Sequence, residues 1–264
     1  MKRGGRRAAW FAALCLVASQ VWSHDSWLSP SRGAAPPGQV ALELATGNRY
    51  PVQEFGQSAA GVAQAGCGTA AGGKLALRPV REQAHWLDLS ATVPQGSEQP
   101  SSCWLELAAV EAEIEPRLIQ VYFGEIRTSA ANRQAWAALQ ARGLPWRERY
   151  RKFARIELGQ DAVDRPAVGL DLEIVVLGNR PIAVNEPLQF QVLRDGRPLA
   201  GFPVELVSER SALGIWRETD ADGMLRHSLP FAGRWLLRGT DLRPSGERPD
   251  AWDSRFVTLA IEAR

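Results

Sequence analysis

The sequence predicts a mainly β protein: two Ig-like antiparallel β-sandwich modules with a short helical segment between them. Three observations carry this. Apolar and polar residues alternate over short stretches, as where Val40, Leu42 and Leu44 face one way and Glu43 the other, and Leu188, Phe190 and Val192 repeat the pattern. Turn chemistry separates the stretches, with Asp195-Gly196 and Asp222-Gly223 as hairpin signals. After residue 170 the strands follow one another about every ten residues with no helical period between them, the spacing of a sandwich.

Taken in order, residues 1–23 read as a secretory signal peptide. Lys2, Arg3, Arg6 and Arg7 precede an apolar run from Ala8 to Ala18, and Val21-Trp22-Ser23 supplies a cleavage site, with Ser19 as the competing one. The run is shorter than the roughly 20 residues that span a bilayer, so direct membrane insertion is not expected. Residues 24–158 form the N-terminal module. In it Ala130–Ala141 has the pattern of a helix ended by Gly143 and Pro145, and a second helix is expected from Trp146 to about Ile156, because Trp146, Tyr150 and Phe153 fall at i, i+4 and i+7. Arg147, Arg151, Lys152 and Arg155 then make a solvated face. Residues 159–169, with Asp161, Asp164 and Pro166, are the expected linker, and residues 170–264 the C-terminal module, with strands at Met224–Leu229, Arg234–Arg238 and Arg255–Glu262. A Pro-bearing turn feeds an alternating strand at Ala34–Leu42 and again at Ile182–Phe190, a short echo between the modules.

The formal charge of the chain is +2, but four of its 31 basic residues lie in the leader, which has no acid. Without them the 29 acids outnumber the bases, and no basic excess is left to neutralise phosphates, so a nucleic-acid partner is not expected. Export implies a periplasmic location. Of the three cysteines Cys15 lies in the leader, and Cys67 and Cys103, left in an oxidising compartment, are expected to pair. Such a bridge is worth roughly 2–4 kcal/mol.

A Gly-rich phosphate loop, H-E-x-x-H, G-x-S-x-G and C-x-x-C are all missing, which removes the common catalytic templates, and no enzymatic activity is expected. The histidines are His24, His85 and His227. His85 is in phase with Leu87 and Leu89, and His227 with Leu225 and Leu229, so both are expected to point into a sandwich or at its rim. Cleavage after Ser23 makes His24 the first residue. Its α-amine and imidazole then offer two nitrogens at one point, a chelate suited to a first-row transition metal and weakened by acid. Asp25 is adjacent, and further donors must come through folding from Asp241, His227 or His85.

The leader followed by His24-Asp25-Ser26-Trp27-Leu28-Ser29-Pro30 resembles the A-H-D/E-F-W-L-x-P opening of a bacterial periplasmic family of unknown function, often labelled a periplasmic component of nickel or cobalt uptake. Arg147–Ala154, Thr219–Gly223, Gly233–Leu237 and Trp252–Ser254 match in the same order. The resemblance implies a two-module exported protein concerned with transition metals, nickel or cobalt before copper or zinc, with inner-membrane metal-transport components as partners. Where relatives are expected to carry a His soon after G-R-W-L-L, this chain has Arg238-Gly239-Thr240-Asp241, and Asp241 would bring oxygen instead. The expected function is thus a metal-binding accessory for uptake or homeostasis, holding its ion through His24, Asp25, Asp241 and His227. The alternative is a non-enzymatic envelope interaction module without a metal site.

Overall fold

The computed structural model describes residues 24–159, 163–178 and 180–264; the expected leader and residues 160–162 of the expected linker lie outside them. Strands β1 (Asp25–Pro30), β2 (Gln39–Gly47), β3 (Phe55–Gly56), β4 (Val62–Gly68), β5 (Lys74–Ala76), β6 (Arg78–Glu82), β7 (Trp86–Thr92) and β8 (Ser102–Ile114) come first. Helices α1 (Ile119–Glu125) and α2 (Ala130–Ala141) follow, then β9 (Trp146–Glu157). The chain ends with β10 (Leu172–Leu177), β11 (Pro187–Arg194), β12 (Arg197–Pro198), β13 (Pro203–Ser208), β14 (Ser211–Glu218), β15 (Met224–Ser228), β16 (Gly233–Pro244) and β17 (Trp252–Ala263). The fold is mainly β with antiparallel sheets, and α2 spans the expected residues, capped by the Ser129 hydroxyl accepting from the Asn132 N–H.

The two halves share a sheet. Eight strands run in the order β14-β13-β16-β17-β9-β8-β4-β5, and the halves join where β17 lies parallel to β9, Trp252 opposite Glu148 through Ala260 opposite Ile156. Alternate residues of this sheet enter different cores. Phe153, Trp235, Leu237, Val257, Leu259 and Ile261 pack against β10 and β11 of a four-stranded sheet. Ala154, Ile156, Leu236 and Ala260 point the other way, against Trp27, Leu42, Leu44, Leu87 and Leu89 of a five-stranded sheet. The central sheet is thus covered on both faces, which is why Trp235–Leu237 and Phe256–Ile261 are nearly continuous in apolar character where half-exposed strands alternate. A third cluster, with Phe123, Trp136, Trp146 and Trp252, seats α1 and α2 at one end of the sheet; the Trp146 and Trp252 rings stack at 4.7 Å.

The helix expected from Trp146 to Ile156 is strand β9. Its even positions include Glu148 and Lys152, which are polar by type yet turn inward, so the alternation is disguised and the aromatic spacing mimics a helix. Pairing with β8 on one side and β17 on the other, both distant in sequence, decides the conformation. Only part of the expected solvated face is found: Arg147 stands opposite Glu113 of β8 and Arg151 meets Glu106 at 3.2 Å, joined by Arg149 opposite Glu111, while Lys152 turns inward and Arg155 is buried.

Asp195-Gly196 closes the β11–β12 hairpin with both residues at positive φ, as a two-residue turn demands. Asp222-Gly223 makes a turn but not a hairpin: β14 belongs to the central sheet and β15 crosses to pair with β11. Cys67 and Cys103 are register partners on β4 and β8 and form the expected disulfide. In the expected linker, Arg165 is buried and held against Glu157.

Candidate functional site

The start of β1 is fastened to the central sheet. The Lys152 ammonium donates to the His24 carbonyl at 2.7 Å, and the Thr258 hydroxyl donates to the Ser26 carbonyl at 2.7 Å. Lys152 gets there because its strand parity turns it inward, between the rings of Tyr150 and Phe256. Burial lowers its pKa to about 8 against the opposing pull of Asp25. The His24 ring is half-buried and tilts against Phe55 with centroids 5.0 Å apart. Burial first, and then the charge of Lys152, lower the His24 pKa, outweighing Glu54 and Asp25. The imidazole is therefore held toward its neutral form, the form that binds metals.

The other three sequence candidates have different surroundings. Asp25 is buried and ion-paired with Arg238, whose guanidinium also reaches Glu205 at 2.6 Å. Burial alone would lower the Arg238 pKa; the two carboxylates raise it instead. Glu205 reaches Arg238 past Gly214, where any side chain would strike its carboxylate. Asp241 lies between Arg194 at 2.7 Å and Arg243 at 3.0 Å. His227, on β15 opposite Leu188, is half-buried as expected at a rim, its pKa lowered by burial and by Arg217. Among the described residues no three or more His, Cys, Asp or Glu side chains gather as a metal cluster, so folding does not assemble these four into one site. His85 differs from expectation: it lies exposed in the turn before β7, its Nδ1 3.0 Å from the Glu54 carbonyl oxygen. A tight turn there, not strand phase, sets its direction.

Two cavities flank this region and share Ile126, Trp216 and Thr240 as a common wall. The smaller, about 290 Å³, opens beside Asp25, Asn48 and Arg238. The larger, about 660 Å³, lies on the far side of Trp216, with Asp241, Arg243 and the loop between α1 and α2 in its wall. Asp25 and Asp241 thus belong to neighbouring cavities. Trp216 stands half-buried at the divide with the Arg127 guanidinium 4.3 Å above its ring. Trp136 and Trp146, by contrast, are core.

The model of a domain of unknown function (DUF4198) matches residues 21–240. The chain belongs to the DUF4198 family. The matched span runs from before β1 into β16, taking in His24, Asp25, Lys152, His227 and Arg238 and stopping one residue short of Asp241. No curated protein matches the chain.

Lys152 and Arg238, which hold the start of β1, were not among the site residues read from sequence, which placed Lys152 on a solvated face. Period 2 along β9 turns Lys152 inward, but with Glu148 it is one of the polar residues that hide that pattern in the sequence. Nothing local marks Arg238, whose partners Asp25 and Glu205 are distant in the chain.

Proposed function

We propose that this DUF4198 member is a periplasmic metal-binding accessory that captures a transition metal through His24, nickel or cobalt first and copper or zinc with the same donors. Cleavage after Ser23 frees the α-amine of His24, and amine and imidazole together form the chelate. The observation that carries this reading is the anchoring of His24: Lys152 holds its carbonyl, Phe55 flanks its ring, and the imidazole is biased toward the neutral state. A first residue fixed in this way presents its two nitrogens at a defined place on the folded body.

The donor set suits borderline metals through nitrogen, while the carboxylates of Asp25 and Asp241 are engaged by arginines. Two nitrogens leave the remaining positions to water or to a receiving partner, which suits capture and release better than permanent storage. The resident work of the chain is to orient His24 and keep its ring unprotonated. An inner-membrane metal-transport component is the proposed recipient, and the role is not enzymatic.

Calorimetric titration with Ni(II), Co(II), Cu(II) and Zn(II) tests this on protein whose first residue is His24, beside the H24A variant with the same start. The expected result is one-to-one binding that strengthens as pH rises through the amine pKa near 8 and is abolished by H24A. Equal weak binding by both proteins overturns the reading.

A further inference from the structure

We propose that the larger cavity beside Trp216 is a binding site for a small organic polycarboxylate. This goes beyond the metal-binding reading and does not depend on it.

The cavity of about 660 Å³ is in the range of small-molecule sites and far larger than an inorganic ion requires. Arg127, Arg217 and Arg243 all line it. Of these, Arg243 is occupied with Asp241, in a clasp that also takes Arg194. Arg127 and Arg217 pair with no carboxylate among the described residues: Arg127 lies over the Trp216 ring, and Arg217 donates to the Trp216 carbonyl at 2.8 Å. Glu218 also lines the cavity, and Asp241 is already neutralised by its two arginines, so the wall keeps a surplus of positive charge. The guanidinium forks of Arg127, over the Trp216 indole, and of Arg217, at the Trp216 carbonyl, match carboxylate groups by shape as well as charge.

Backbone conformation singles out Arg127 independently. It follows the Ile126 cap of α1 with φ of +48°, the place where a helix normally ends on glycine. A β-carbon there is strained, yet the position carries a long cation that reaches the cavity wall. The remaining wall sets Leu199, Ala200 and Pro203 beside the polar Thr128, Ser129, Asn132 and Thr240, which offers apolar contact to a carbon skeleton between charged ends, a skeleton that inorganic phosphate lacks.

The test is titration of mature, metal-free protein with tricarballylate at low ionic strength, with inorganic phosphate as the comparison. The variants are R127G, which places the favoured residue at a strained position and should leave thermal unfolding unchanged or raised, and R217Q on the exposed face of β14. Stoichiometric tricarballylate binding, weakened about tenfold or more by each variant and at least about tenfold tighter than phosphate, is the expected result. No binding, wild-type binding by both variants, or phosphate binding as tightly as tricarballylate overturns the proposal. If R127G fails to fold, R217Q still decides it.

Discussion

At the scale of single residues, Lys152 illustrates how context remakes a side chain. Exposed, it would be one more solvated base; on the inward parity of β9 it loses water, and its pKa falls to about 8. The sign of the consequence follows directly. The folded protein gives up this proton more readily than the unfolded chain, whose lysine titrates near 10.4. Between those values the unfolded chain binds more protons, so stability rises with pH. In metal-free protein, urea unfolding should therefore show wild type gaining stability from about pH 8 to pH 10, a gain that K152M lacks. Parallel slopes for the two proteins would place the buried charge elsewhere. The groups facing Lys152 are His24, Asp25, Tyr150 and Phe256, and of these only Asp25 opposes the shift. The role proposed for His24 was argued from sequence, from its place directly after a candidate cleavage site. The anchoring by Lys152 was not, since 128 residues separate donor from acceptor.

Individual elements show where local pattern succeeds and where it fails. Helix α2 was legible to the residue, because a helical run and a terminating Gly143 and Pro145 are local signals. Strand β9 was misread because two inward polar residues break its alternation. One of them, Glu148, is satisfied only by side chains from three elements: it accepts from the Tyr122 hydroxyl at 2.9 Å, from the Trp146 indole at 2.8 Å and from Ser254. The C-terminal end of β9 carries a second buried polar group. Arg155 donates to Glu157 at 2.8 Å and to Glu173 at 2.5 Å, with all three side chains essentially inaccessible, and Arg165 lies at 3.5 Å from Glu157. Removing one member strands the others without water, so R155A should lower unfolding free energy by about 3–5 kcal/mol. R149A, which loses only an exposed pair at 3.9 Å, should cost less than about 1 kcal/mol. Similar losses in the two variants, measured by denaturant unfolding, would deny the buried network its structural role.

For the molecule as a whole, the mainly β fold with antiparallel sheets is the one the sequence predicts, while the order of the strands within the sheets was not read. Short alternating strands were read correctly; a sheet order cannot be read from them, because β17 chooses β9, about a hundred residues earlier, through packing that no local window contains. The result is a central sheet to which both halves contribute, covered on each face by a smaller one. Neither half has a complete core without the other, so calorimetry on the mature protein should show one cooperative transition with matching calorimetric and van't Hoff enthalpies. Two resolved transitions would mean the halves fold independently. This shared framework also fixes the site, since β1 is held by residues of β9 and β17, the two strands that join the halves.

The central claim is that the first residue of the mature protein, His24, chelates the metal through amine and imidazole together. Electron paramagnetic resonance of one equivalent of Cu(II) on protein beginning at His24 addresses it most directly, because coupling to the copper counts nitrogen donors. Two coupled nitrogens, with the imidazole one lost when Ala replaces His24 (H24A), is the predicted outcome; an identical copper spectrum with and without the imidazole would contradict the account.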